Sequence, residues 1–384
     1  MNFELTDIAY SFYSNKKLKK KRIFLKIMRI NAFIRSGKFL LKLFFALNLP
    51  VEWIFKKTIF PLFCGGENLK LSLKLVNDLG KKNILSVLDF SVEGLSNEKS
   101  FNDTFIEVKN SIINASNNQY IPFAVFKPTA IAKHDVLTGK LPVESVDYQN
   151  FRHRLIELSK YAAEHDVKLM IDAEDYAFQS VVDKEVELLM HRFNKEKTIV
   201  YTTIQMYRWD RTTYLHYLID KAKSEMFFVG IKLVRGAYLE KENNLAQKGN
   251  YKSPIYSTKE ETDEAYNNAL LTIVNNINIC ELFAGTHNEE SCMLLSNNIL
   301  KTGLRKNDKR VYFAQLYGMS DNISMVLANQ GYNVVKYIPY GPVKEVIPYL
   351  LRRAEENSSI SKQSKKEIYL INKELKRRKN DNKQ

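Results

Sequence analysis

FFVGIKLVRG, residues 227–236, is apolar from Phe227 to Val234 apart from Lys232, and it ends on Arg235 and Gly236. A strand with one wet face alternates apolar and polar residues, whereas a nearly continuous apolar run suits a strand buried on both faces, as in a parallel sheet. Similar runs lie to either side. TIVYTTIQ (198–205) and ICELFAGTH (279–287) flank it, then KLMIDAE (168–174) and RVYFAQLYG (310–318), then IPFAVFK (121–127) and NVVKYIPYG (333–341), with ILSVLDF (84–90) outermost. Helical patterns separate most of them, among them VDYQNFRHRLIELSKYAAEH (146–165), KEVELLMHRF (184–193), TTYLHYLIDKAKS (212–224), TDEAYNNALLTIVNN (262–276), NEESCMLLSNNIL (288–300) and DNISMVLANQ (321–330). Eight such strands alternating with helices predict an α/β chain folded as a (β/α)8, TIM-like barrel.

Polar residues gather where each run ends: Asp89 and Glu93, Lys127, Asp172, Gln205, Arg235, His287, Gln315 and Tyr337. In such a barrel those ends point to one face, where catalytic groups sit. Strand ends meet polar loops in any case, so each residue alone says little. Eight in succession predict a site.

The chain has 384 residues and a formal net charge of +15, unevenly placed. Residues 16–57 carry +12 and residues 361–384 carry +6, which leaves a near-neutral body. The expected organisation is a basic helical arm (1–60), a barrel (61–359) and a basic, partly helical tail (360–384). Phe24, Ile27, Ile30 and Ile34 form the arm's apolar stripe, expected to pack on the barrel. The basic ends suit a solvated helix face or an anionic membrane surface. No nucleic-acid motif accompanies the charge, so no nucleic acid is expected. Cys64, Cys280 and Cys292 have no metal-type spacing. The start, MNFELTDIAY, lacks the basic and apolar pattern of a secretory signal. The stretch 39–55 is interrupted by Lys42, Pro50 and Glu52 and is too broken to cross a bilayer. A cytoplasmic location, with peripheral contact on the inner membrane, is the expectation.

The densest chemistry lies in YLLRRAEENSS (349–359). On a helix, Tyr349, Arg352, Arg353 and Glu356 share a broad face. The two guanidinium forks suit a carboxylate, while an exposed Arg352–Glu356 pair is the plainer reading. Lys127 ends a very apolar strand and calls for an anionic partner, whether its role is structural, substrate-binding or that of a Schiff-base nucleophile. Asp172 and Glu174 end the third run and suit a metal ligand, a base or a hold on nearby arginines. Lys232 and Arg235 before Gly236 suit a phosphate or an anionic ring system. There is no GxGxxG, P-loop or metal-binding set, so a Rossmann site, an NTPase and a metal are not expected.

The motifs FCGGE (63–67), LDFSVEG (88–94), FKPTAIA (126–132), IDAED (171–175), KLVRGAYL (232–239), THNEE (286–290), FAQLYGM (313–319) and KYIPYGPVKEVIPYLLRRAEENSS (336–359) resemble those of proline dehydrogenases, in the family's order. The resemblance spans about 60–359 and is closest to the monofunctional type of mitochondria and some bacteria. It implies a distorted barrel with its last helix over the active face, FAD as cofactor, and oxidation of L-proline to Δ1-pyrroline-5-carboxylate by hydride transfer from C5 to flavin N5. It further implies that Arg352, Arg353 and Lys127 bind the proline carboxylate and that Tyr337 packs on the pyrrolidine. Tyr349 and Leu316 complete the pocket, Glu93 gates it with Arg352, and Asp172 orients Tyr337. For the flavin it implies Gln205, Lys232, Arg235, Gly236, Ala237, Tyr238, Thr286, His287, Asn288 and Glu356. Lys232 and Leu239 stand where the bacterial bifunctional enzymes have arginine and tryptophan, and the mitochondrial type shares both differences.

The family's electron acceptor is a membrane quinone, which fits the basic arm. Three alternatives remain open at this point. A hydroxyproline dehydrogenase would carry a smaller residue than Tyr337. A non-catalytic membrane-binding barrel would have lost the site residues. An aldolase-type barrel would use Lys127 as its nucleophile.

Overall fold

The computed structural model describes residues 1–28, 52–92, 97–347, 349–350 and 361–381. Its eight strands are β1 (Ile84–Phe90), β2 (Phe123–Phe126), β3 (Lys168–Ile171), β4 (Val200–Gln205), β5 (Val229–Val234), β6 (Cys280–Gly285), β7 (Val311–Leu316) and β8 (Val334–Tyr340). They pair in parallel in chain order, and β8 closes on β1 from Ile84↔Val334 to Phe90↔Tyr340. The chain is thus an α/β barrel, as its apolar runs predict.

Both strand faces are buried, which is why the runs read as continuous. Inward-facing Val87, Phe123, Met170, Tyr201, Phe283 and Tyr312 fill the barrel. Phe123 meets the edges of Tyr201, Phe283 and Tyr312 with ring centroids 5.3, 5.2 and 5.0 Å away. Near the strand starts, Lys168 and the Tyr201 hydroxyl both bind the Glu281 carboxylate, which satisfies the polar tips of this plug. Outward-facing Leu88, Leu169, Ile231, Leu233 and Leu282 pack against the surrounding helices in one large core.

The six helices read from sequence form at Val146–Glu164, Tyr176–Phe193, Arg211–Glu225, Lys259–Asn275, Glu289–Lys301 and Asp321–Asn329. Three longer ones were not read, Leu69–Gly80 before β1, Glu98–Ser116 between β1 and β2, and Leu239–Gly249 between β5 and β6, nor was the single turn His134–Leu137 after β2. Glu98–Ser116 begins with a capping box between Asn97 and Ser100. Leu239–Gly249 buries only Glu242 and Ala246, so its pattern is almost wholly polar. Residues 343–347 and 349–350 are helical. Val343, Val346, Tyr349 and Leu350 cluster there with Phe60, Phe63 and Met319, and with the β7 residue Leu316.

The arm packs differently from the expected stripe. In helix Asn15–Met28 the buried positions are Leu18, Lys21 and Leu25, while Phe24 is half-buried against Phe63 and Ile27 is exposed. Ile30 and Ile34 lie outside the described residues. Leu18 and Leu25 join Ile368, Leu370 and Ile371 of helix Ser361–Asp381, so the two chain ends form one cluster. The reason is electrostatic as well as apolar: Lys21 is buried because Asp321 and Glu367 meet it there.

Candidate active site

Asp89, the penultimate residue of β1, is 1% exposed, and Lys127 follows β2. The Lys127 ammonium donates to Asp89 Oδ1 and Oδ2 at 2.8 and 2.7 Å, and the Ser91 hydroxyl donates to Oδ2 at 2.6 Å. Burial alone would lower the Lys127 pKa, but the carboxylates of Asp89, Asp172 and Glu174 together outweigh it and hold the lysine above its ordinary value. Burial likewise opposes charge on Asp89, and Lys127, helped by the Ser91 hydroxyl and Lys232, outweighs it and keeps that carboxyl below its usual range. Lys127 is therefore a fixed cation, which removes it as the unprotonated nucleophile of an aldolase. An ammonium has three donors, so one remains beyond the two that Asp89 takes.

The mouth is bridged at Asp172, just after β3. Lys232 of β5 donates to its Oδ1 at 2.5 Å, and the Tyr337 hydroxyl of β8 donates to its Oδ2 at 2.8 Å. The Lys232 ammonium lies 4.3 Å from the Tyr337 ring centroid. One carboxylate thus fixes a lysine and an aromatic ring from strands on other sides of the barrel. Lys232, expected at the flavin, stands among the residues expected at the substrate. Burial, followed by the neighbouring Asp172 carboxylate, raises the Tyr337 phenol well above its ordinary value, so it stays a donor.

Glu174, read with Asp172 at the end of the third run but given no place in the substrate or flavin set, is buried beside that site. Its carboxylate accepts from the Thr129 amide at 2.9 Å and the Thr129 hydroxyl at 2.6 Å. Burial still pushes its pKa up to about 7. Its backbone oxygen accepts from Gln205 Nε2 at 3.0 Å.

The described residues expected at the flavin lie on or directly after β4, β5 and β6, which are adjacent in the barrel. Arg235 donates to Asp263 at 2.6 Å, to the Thr286 hydroxyl at 2.7 Å and to the Ser291 hydroxyl at 2.9 Å. His287 Nδ1 lies 2.9 Å from the Ser320 hydroxyl. Asn288 caps helix Glu289–Lys301, its side-chain oxygen accepting from the amides of Glu290 and Ser291. Gly236 has φ of +133°, and a Cβ there would come within 2.4 Å of the Tyr207 ring. A side chain would prevent this path of the backbone, after which Ala237 and Tyr238 lead into helix Leu239–Gly249.

Gln205 tests whether this face suits FAD. It is 3% exposed, and its Oε1 has no partner among the described residues. A buried acceptor left unpaired costs about 1–3 kcal/mol, so a donor arriving from outside the chain is favoured there. The edge of an isoalloxazine ring carries such an N–H, and Lys232, Arg235 and Thr286 supply the polar surroundings on the neighbouring strands. These residues fit a flavin.

Leu316 and Tyr349 meet in the apolar cluster above the mouth, together with Met319 and Phe63. Glu93, Arg352, Arg353 and Glu356 lie outside the described residues. Among the described residues no group of three His, Cys, Asp or Glu is placed to hold a metal ion.

Residues 72–366 match the family model of proline dehydrogenase. The chain is 35% identical to the carbapenem antibiotics biosynthesis protein CarD of Pectobacterium carotovorum subsp. carotovorum, over 83% of this chain and 84% of that protein. It is 38% identical to the mitochondrial proline dehydrogenase 1 of Homo sapiens and 36% identical to that of Drosophila melanogaster. Those matches cover 65% and 62% of this chain but 44% and 36% of the relatives' lengths. In fold it resembles proline utilization A of Bdellovibrio bacteriovorus, with a TM-score of 0.73 at 20% identity over 93% of this chain and 37% of that one. With an eight-stranded barrel, a polar mouth that suits a flavin and a family model covering most of its length, this chain belongs to the proline dehydrogenase family.

Proposed function

We propose that this chain oxidises L-proline at C5 to Δ1-pyrroline-5-carboxylate and passes the electrons to a membrane quinone. Its family is one of FAD-dependent oxidoreductases acting on proline, the first step of proline catabolism. The observation that carries the reading is the Asp172 bridge, which holds Lys232 and Tyr337 together at the barrel mouth. FAD, when bound, supplies the acceptor for the hydride that leaves C5.

The chain's own task is to hold proline still and dry. Proline carries one carboxylate, and Arg352 and Arg353 are placed by sequence to grip it, joined by the remaining donor of Lys127. The Tyr337 ring, fixed by Asp172, offers the pyrrolidine a flat apolar surface. Leu316 and Tyr349 add apolar cover that excludes water. Proline must give up an amine proton before hydride leaves, so kcat/KM rises with pH between about 6 and 9. A flat profile counts against the mechanism.

The quinone partner is supported by the basic arm. Lys16, Lys17, Lys19, Lys20 and Lys26 are exposed on helix Asn15–Met28 beside exposed Ile23 and Ile27. Lys20 reaches the Lys57 carbonyl oxygen at 3.1 Å, which sets that helix beside exposed Trp53. Cations around apolar side chains suit the surface of an anionic bilayer, and peripheral contact on the inner membrane from the cytoplasmic side follows. Among the described residues no helix is long and apolar enough to cross a membrane.

The test is a visible absorption spectrum of the purified protein, taken anaerobically before and after addition of L-proline. Flavin bands that bleach with proline, and much less with trans-4-hydroxyproline, support both the substrate and the role of Tyr337. Flavin bands unmoved by proline remove the substrate. Unchanged binding to anionic vesicles after deletion of residues 1–45 removes the membrane contact.

A further inference from the structure

A buried charge network lies beyond the residues assigned to proline or flavin. Asp321 begins the helix after β7 and is 2% exposed. Its Oδ2 accepts from Lys21 at 2.6 Å and from the Tyr13 hydroxyl at 2.7 Å, and its Oδ1 lies 2.9 Å from Lys336. Lys21 also pairs with Glu367 of the C-terminal helix at 2.6 Å. Two lysines and two carboxylates thus balance in the interior, contributed by the arm, the tail, the β7 exit and β8.

The network grips the active face at two points. Lys336 directly precedes Tyr337, and it also donates to the Met319 carbonyl oxygen at 2.6 Å. Between Leu316 and Asp321 the chain makes a tight turn: the Tyr317 amide donates to the Tyr337 carbonyl oxygen at 2.9 Å, and Ser320 has φ of +51°. Ser320 is the residue that meets His287. Moving Asp321 therefore moves the neighbours of Tyr337, Leu316 and His287 together.

We propose that Lys21 is a positioning residue for proline oxidation: from the N-terminal arm, through Asp321 and Lys336, it fixes the turn 316–320 against β8 and so sets the geometry of the flavin and proline faces. A buried ion network is costly to assemble and weak as a source of stability, but it defines one arrangement sharply when all members are paired. A hydrophobic contact would tolerate small shifts of the turn that a chain of ion pairs running Glu367–Lys21–Asp321–Lys336 does not. The proposal rests on the family activity for its kinetic readout and on flavin binding alone for its spectroscopic one.

The experiment compares holoenzymes. Lys21→Met alone leaves Glu367 buried and unpaired, so the main variant is Lys21→Met with Glu367→Gln, which keeps Asp321 and Lys336 as a balanced pair. Tyr13→Phe, which removes one hydrogen bond to Asp321, is the milder companion, and Lys21→Arg the conservative one. Measured quantities are the visible circular dichroism of bound FAD, KM and kcat for L-proline, and the melting temperature. The expected result is an altered flavin dichroism and a fall in kcat/KM of roughly tenfold or more in the double variant, a smaller fall in Tyr13→Phe, and partial recovery in Lys21→Arg. A lower melting temperature with unchanged dichroism and kinetics overturns the proposal and leaves Lys21 a structural residue. Should the double variant not fold, an unchanged dichroism and KM in Tyr13→Phe overturns it equally. If the wild-type flavin is not reduced by proline, the substrate reading has failed, and the dichroism still decides the role of Lys21.

Discussion

At the scale of single residues, the mouth of this barrel depends on charges that are buried and matched. Glu174 is the exception, held by two hydrogen bonds from Thr129 but, among the described residues, by no ion pair with a cation. Its folded pKa of about 7 against an ordinary 4.5 makes the native state bind more protons than the unfolded chain between those values. Its favourable contribution is complete below about 4.5 and is lost as pH rises through 7, a difference of about 3 kcal/mol. Glu174→Gln should therefore flatten the pH dependence of stability across that window, which urea titrations at several pH values can read; equal slopes in both proteins would refute the assignment. Lys127 and Asp89 make the opposite case. Lys127→Met strands a carboxylate that is 1% exposed, and the cost expected in calorimetry is about 3–5 kcal/mol. A melting temperature like that of the parent would mean that Asp89 finds another partner. In sequence, Lys127 and Asp172 were legible from their place where apolar runs end, and both directly follow their strands, whereas Tyr337, read the same way, lies in the middle of β8. That Lys127 is answered by Asp89, and that Lys232 belongs with Asp172 and Tyr337, was not legible, because these partners lie on different strands.

At the scale of elements, strands were more legible than helices. A strand buried on both faces writes a continuous apolar run, and all eight runs became strands. Leu239–Gly249 escaped notice because it buries little, so nothing apolar marks its period. The loops after the strands carry the tightest constraints. Gly318, just beyond β7, has φ of +84°, and a Cβ there would lie 2.1 Å from the Leu62 carbonyl oxygen. Gly318→Ala must therefore push the turn away from the segment Phe60–Phe63 that packs above the mouth. The expected loss of stability exceeds the ~1–3 kcal/mol of a strained backbone conformation alone, with weaker proline binding. Chemical denaturation and a proline titration of the same variant measure both. A fully stable variant would show that the turn can shift freely.

At the scale of the whole molecule, the two chain ends are one structure. Leu18 and Leu25 of the arm bury themselves on Ile368, Leu370 and Ile371 of the tail, and Arg378 donates to the Tyr10 and Tyr13 carbonyl oxygens at 2.7 and 2.6 Å. Removing residues 361–384 should expose the arm's apolar face, lower the melting temperature and create binding of a hydrophobic dye; an unchanged melting curve would show that the arm is held by the barrel alone. The sequence by itself pointed to the barrel, because eight continuous apolar runs alternating with helical patterns are what eight parallel strands buried on both faces write. It also marked the polar residues that follow the apolar runs, because strand ends in a parallel barrel share one direction. Only the tertiary structure decided that the arm's buried face runs through Leu18, Lys21 and Leu25. A lysine in a basic helix reads as solvated until the acids that neutralise it, 300 residues or more away in the chain, are brought to it by the fold.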